Sequence, residues 1–234
     1  MRVIDRDTIK VLQEKSFDNL ILIDKPATWS SFDVVKKIRN LTKIKKVGHS
    51  GTLDPFATGL LILGTGKETK VLAQISDATK EYIATIEFGK NTDTYDVTGN
   101  IINQVDISGI SDFNFKSILD SFLGESQQLP PMFSAKKVGG KRLYKMARKG
   151  IEIERKAHNI FIYEIKQLKR EVSSLDVYVK CSKGTYLRSL AFDIGEKSGY
   201  GAYLKSLRRV AIDNFNIEKA LTVNDFHKFW SSLN

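Results

Sequence analysis

Asp54 is the residue of this chain best suited to do chemistry. It stands in the string Gly48-His49-Ser50-Gly51-Thr52-Leu53-Asp54-Pro55-Phe56-Ala57-Thr58-Gly59-Leu60-Leu61, a single acid among turn-forming and apolar residues. Glycines at 48, 51 and 59 permit tight turns and close backbone approach, and Pro55 fixes the chain directly after the carboxylate. The pattern predicts a rigid loop that presents Asp54 into a cleft and then enters the buried run Leu60-Leu61-Ile62-Leu63. A carboxylate held this way can act as a nucleophile or steady a positive charge as it develops. Asp before Pro is by itself an ordinary turn start. The rest of the string is what singles it out.

Several elements must position this loop. Leu20-Ile21-Leu22-Ile23 is a short apolar run that ends at Asp24-Lys25-Pro26, a strand entering a turn. Ser30-Ser31-Phe32-Asp33 supplies a helix cap with an acid three residues on, and the helix that follows is amphipathic through Val34, Val35, Ile38 and Leu41. Tyr82, Ala84, Ile86 and Phe88 alternate along one predicted strand, and Leu175, Val177, Val179 and Cys181 along another. Leu187, Leu190, Ala191 and Ile194 are spaced for a helix that starts after the turn at 182–185, with Arg188 and Ser189 off its apolar stripe. Strands and helices are interspersed without the regular repeat of a Rossmann or barrel fold. The expected class is therefore α+β, built on a mixed, largely antiparallel sheet.

Composition narrows the partners. The 234 residues are enough for one sizeable core with an appendage, and Lys plus Arg outnumber Asp plus Glu by 37 to 27, a net charge of +10. Such a balance favours a polyanion, with nucleic acid ahead of an anionic membrane surface. Cys181 is the single cysteine, which rules out an intrachain disulfide and a cysteine-built zinc site and fits a cytoplasmic setting. No stretch approaches a membrane span, and the charged start of the chain is unlike a secretory signal. The segment at about 130–156 reads as a basic, hinged arm, in which Lys136, Lys141 and Arg148 stand among other cations with Phe133 and Tyr144. Cations neutralise phosphates and aromatic rings stack on bases, so RNA contact is expected there. Gly64-Thr65-Gly66-Lys67-Glu68 fails the phosphate-loop spacing, and Ser134-Ala135-Lys136-Lys137 lacks the other elements of a serine acyl-transferase.

The string around Asp54 closely resembles the central motif of the TruB-type tRNA pseudouridine synthases. Four more blocks match in order: Asp24-Lys25-Pro26 with Ser30-Ser31; Lys80-Glu81-Tyr82 with Thr92-Asp93-Thr94-Tyr95-Asp96; Pro130 to Lys136 with Leu143-Tyr144 and Ala147-Arg148-Lys149-Gly150; and Cys181 to Ala191 with Leu207-Arg208-Arg209. The resemblance covers nearly all of residues 20 to 215. It implies the pseudouridine synthase fold, Asp54 as the catalytic acid, Tyr82 against the uracil and Arg188 as the arginine that keeps Asp54 charged. It further implies Leu207 as an apolar wall of the base pocket, and His49 entering the RNA as bases swing out. Lys25 and Tyr186, with Lys136, Lys141 and Arg148 of the arm, are carried over as RNA-contacting residues. His158 and His227 match no motif and are expected to play local roles.

The implied reaction isomerises uridine 55 in the tRNA T loop. The glycosidic bond breaks, the uracil rotates while bound, and C5 joins C1′, with no net redox change and no cofactor or metal. Covalent attack, stabilisation of the sugar cation and removal of a ribose proton all remain open as routes. The expected partner is the T arm of tRNA, with no membrane and no obligate protein partner. A guide-RNA-dependent catalytic subunit and a non-catalytic RNA-folding protein are the alternatives. The chain departs from the family at Thr28, usually Gly, at Ser30, usually Thr, and at Asp213-Asn214-Phe215, usually Gly-Pro-Phe. Residues 1–215 are read as the catalytic domain, with the arm inserted. Residues 216–234 form a short tail where many bacterial members carry a further small RNA-binding domain.

Overall fold

The run at 20–23 shows no alternation because the strand it forms, Leu20–Lys25, is covered on both faces. The computed structural model describes residues 2–134, 137–138, 141–147, 150–151 and 153–233. The chain divides into two units, Met1–Tyr82 with Arg208–Asn234, and Ile83–Leu207.

In the first unit Leu20–Lys25 lies antiparallel to Thr58–Thr65, with Leu20 opposite Gly64 and Lys25 opposite Gly59. Val3–Ile4 and Leu221–Thr222 flank it in parallel, Val47–His49 pairs antiparallel with the end of Thr58–Thr65, and Arg208 and Arg209 run parallel to Thr58 and Gly59. Parity sorts the side chains. Ile21, Ile23, Leu61 and Leu63 meet Val34, Val35 and Ile38 of helix Ser31–Thr42 and Phe226, Phe229 and Trp230 of helix Val223–Ser232. Leu20, Leu22, Leu60 and Ile62 face the other way, onto Leu72, Ile212 and Ala220. The helix at 31 begins as its sequence predicts. Ser30 Oγ accepts from the Asp33 N–H at 3.1 Å, and the Asp33 carboxylate accepts from the Ser30 N–H at 2.9 Å.

In the second unit the strands order as the 202–207 part of Ala202–Ile212, the 83–88 part of Lys80–Phe88, Ser174–Cys181, His158–Arg170 and Gly124–Gln128, the last two pairings antiparallel. Ala84, Ile86 and Phe88 are buried on the second strand, and Leu175, Val177, Val179 and Cys181 on the third, as the alternation predicts. Helix Leu187–Ser198 buries Leu187, Leu190, Ala191 and Ile194. Arg188 and Ser189, off that stripe, are buried as well. Their partners include backbone carbonyls that close over the first turn: Arg188 donates to Phe133 O at 2.9 Å and Ser189 to Leu129 O at 2.9 Å. With parallel and antiparallel pairings and interspersed helices, the architecture is the expected mixed α+β type. Of the basic arm, the structure gives a two-stranded pairing of Lys137–Val138 with Lys141–Arg142 and the short helix Leu143–Ala147. Lys136 and Arg148 lie outside the described residues. Among the described residues, no helix is long and apolar enough to cross a membrane.

Candidate active site

The Asp54 loop is moored on both sides by its own unit. Upstream, the Ser50 N–H donates to Ile62 O at 2.9 Å, and the Ser31 hydroxyl accepts from the Leu53 N–H at 2.8 Å while donating to the Leu53 carbonyl at 3.2 Å. One side chain on the first helical turn thus fixes both backbone groups of the residue before Asp54. Downstream, the Ala57 N–H closes a turn onto Asp54 O at 3.1 Å, and Leu53 and Ala57 are buried while Asp54 itself is half-buried.

Two fully buried cations hold the same loop. Lys25 gives its ammonium protons to the carbonyls of Trp29 at 2.6 Å, Pro26 at 3.0 Å and Pro55 at 3.4 Å. Burial lowers its pKa to about 8, opposed by the charges of Asp54 and Asp33 and reinforced by that of Arg209. Lys25, expected among the substrate-binding residues, has its ammonium donors on backbone carbonyls of this turn and of the loop. Arg209 donates from Nε to Leu60 O at 2.7 Å and from Nη2 to Gly51 O at 3.3 Å, and it hydrogen-bonds the Tyr82 side chain. Burial works against its charge as well, with Tyr82 opposing that effect. Lys25 therefore holds the residue after Asp54, and Arg209 the residue three before it.

Tyr82 is buried. His49 ends strand Val47–His49 opposite Leu63. Burial lowers its pKa, the Gly51 backbone opposes this and Arg209 adds to it, so the ring is neutral at pH 7. Arg208, next in sequence to Arg209, points elsewhere and forks onto Asp24 at 3.1 and 2.7 Å.

In the second unit, Arg188 is built into a polar nest. Its guanidinium donates to Thr94 O at 3.3 Å and Phe133 O at 2.9 Å, and Nε stands 3.5 Å from Asp96 Oδ2. Asp96 Oδ1 accepts from Thr94 Oγ1 at 2.8 Å, the Thr98 N–H at 2.9 Å and Thr98 Oγ1 at 2.5 Å. The loop that carries them is strapped to Leu204 by two backbone bonds of 3.0 Å, from the Val97 N–H and to the Tyr95 carbonyl. Tyr186 stands at the N-cap position of this helix, and its backbone is gripped by Gln128 through bonds of 2.8 and 3.1 Å. His158 has the local role expected of it, with Nε2 3.0 Å from Gly184 O and its ring edge-on to Tyr186. Leu207 is buried. Sequence reasoning passed over Arg209 and Asp96 as individual residues. Both stood inside quoted blocks, but nothing in residue type or spacing marked them as buried charges.

Comparison with known proteins is consistent with this geometry. The chain aligns with the crystal structure of a Cbf5–Nop10–Gar1 complex with a TM-score of 0.71 and 28% identity, covering 92% of this chain and 56% of that one. It spans little more than half of that solved chain. Residues 39–187 match the model of the TruB family pseudouridylate synthase N-terminal domain, and residues 188–233 that of the tRNA pseudouridylate synthase B C-terminal domain. The fold is that of a pseudouridylate synthase. Within that class the chain belongs to the TruB family. Among its relatives, the protein named tRNA pseudouridine synthase B of Clostridium tetani is 45% identical over 90% of this chain and 73% of its own length. The protein of the same name from Opitutus terrae is 40% identical over 90% of this chain and 87% of its own.

Proposed function

We propose that this protein converts uridine 55 in the T loop of tRNA to pseudouridine, acting alone and without a cofactor. The observation that carries the reading is the Asp54 loop, whose two flanks are fixed by buried cations at Gly51 and Pro55. A carboxylate that must meet a sugar or base carbon in one orientation benefits from such preorganisation, since misplacement by an ångström is costly to rate. The names and identities of the relatives support tRNA as the substrate.

In this reading Asp54 is the reacting carboxylate, needed ionised whichever route breaks the glycosidic bond, and Arg188 is the active-site arginine. The Tyr82 ring lies against the uracil, and its hydroxyl helps remove the C5 proton after C5 has joined C1′. Leu207 walls the base pocket. The target nucleotide must leave its stack at a cost of about a few kcal/mol, and the neutral His49 ring fills the vacated space without burying a charge. Tyr186 and the arm residues Lys136, Lys141 and Arg148 grip the RNA. Residues 1–215 carry the catalysis, with the arm as an insertion.

The test is pseudouridine formation in an unmodified tRNA transcript, mapped to the nucleotide, with wild-type protein and Asp54→Asn side by side and no other factor present. Product at the single T-loop uridine from the wild type alone is expected. Tight tRNA binding with no product from either protein would replace this reading with a guide-dependent subunit or an RNA-folding protein.

A further inference from the structure

Arg209 and Lys25 head the largest fully buried side chains among the described residues. A buried guanidinium is a costly way to fill space, because an apolar side chain of similar volume often does so at equal or better stability. Its retention therefore calls for a reason in its contacts. Those contacts are the Leu60 carbonyl on strand Thr58–Thr65, the Gly51 carbonyl of the Asp54 loop, and the Tyr82 side chain. Leu60 is scaffold, whereas Gly51 and Tyr82 belong to the two parts of this unit assigned to chemistry. The strand carrying Arg209 is brought in tightly: a Cβ built at Gly59 would lie 2.3 Å from Arg209 O.

We propose that Arg209 is a positioning residue of the pseudouridylation reaction, locking the Asp54 loop and the Tyr82 hydroxyl into one geometry and setting the direction of the tyrosine proton. The direction follows from donor chemistry. Arginine has only donors, so in its bond with Arg209 the Tyr82 oxygen must accept. The phenol proton is then turned away from Arg209, toward whatever acceptor the substrate complex brings. Lysine could supply the charge but not a planar fork reaching three separate acceptors.

The inference rests on the function proposed above, and one set of assays separates the two. Single-turnover pseudouridine formation, tRNA affinity and melting temperature are measured for wild type, Arg209→Met, Arg209→Lys, Tyr82→Phe and the Arg209→Met/Tyr82→Phe double variant. Arg209→Met is expected to slow the single-turnover step by about 100-fold, with tRNA Kd within about threefold of wild type. Arg209→Lys should restore folding stability more than rate. Because Arg209 acts in part through the Tyr82 hydroxyl, the loss in the double variant should fall short of the product of the two single losses. Losses that multiply in the double variant, or rates that follow melting temperature across the set, would overturn the positioning role. If Arg209→Met does not fold, Arg209→Lys against Tyr82→Phe carries the same comparison. A wild-type protein that makes no pseudouridine sinks the proposed function itself, whereas an active wild type with an equally fast Arg209→Met sinks only this inference.

Discussion

Arg188 Nε stands 3.5 Å from Asp96 Oδ2, and both side chains are about 95% enclosed, at 4% and 5% exposure. The pair is buried with its remaining valences filled: the guanidinium reaches the Thr94 and Phe133 carbonyls, and Asp96 Oδ1 accepts from Thr94 and Thr98. A pair of this kind adds little over an apolar replacement, yet breaking it from one side is expensive, because the surviving charge stays buried with less to offset it. Asp96→Asn keeps the shape and most of the Oδ1 hydrogen bonds but turns a neutral group toward Arg188. It is expected to lower unfolding free energy by about 2–4 kcal/mol and to reduce the modification rate, since the guanidinium loses the group that orients it. Urea unfolding and single-turnover assays read the two effects. Unchanged stability would mean that the pair contributes nothing.

Thr28 and Asp213, both read from the sequence as departures from the glycine that the resemblance implies, sit in the left-handed region, at φ 69° and φ 49°. Aspartate tolerates this conformation; a β-branched residue does so poorly. Thr28→Gly is therefore expected to raise the melting temperature, by the equivalent of about 1 kcal/mol. The converse holds at Gly59, with φ +106° and a neighbouring backbone oxygen 2.3 Å from any added Cβ. There Gly59→Ala should destabilise by roughly 3 kcal/mol or more. Gly124→Ala, at φ +88° with nothing within 4 Å of the added carbon, should cost only about 1 kcal/mol. Calorimetry on the three variants checks the order.

Lys25 makes stability depend on pH in a predictable direction. Its pKa falls from 10.5 unfolded to about 8 folded, chiefly through burial, with Asp54, Asp33 and Arg209 the charges around it. Between these values the unfolded chain holds the proton that the folded chain has released, so unfolding free energy rises with pH across this window. The cost of the buried charge is fully present below about pH 8 and fades by about pH 10.5. Relative to Lys25→Met, wild type should gain on the order of 1–3 kcal/mol between pH 7 and pH 10. Parallel urea curves for the two proteins over that range would refute the assignment.

Much of the local structure was legible in the residues. The Ser30 and Asp33 cap, the alternation at 82–88 and 175–181, and the two-sided burial at 60–63 are consequences of short-range chemistry that a linear pattern carries. The string around Asp54 marked the loop for the same reason, since its glycines and proline constrain the backbone wherever it sits. Pattern did not tell which of two adjacent arginines is buried. Arg208 and Arg209 are identical in sequence terms, yet the first forks onto Asp24 and the second is sealed behind Gly51 and Leu60. The choice is made by the register of their strand against Thr58 and Gly59, some 150 residues earlier in the chain. The same holds for the terminal segment, where Leu221 and Thr222 pair with Ile23 and Asp24 and Phe226 and Trp230 enter the core beside Val34 and Ile38. Sequence determined the elements and singled out Asp54 as the candidate acid, because turns, caps and periodicity act over a few residues. Only the tertiary structure decided which charges lie buried around that acid, because desolvation and hydrogen-bond partners are set by segments far apart in the chain.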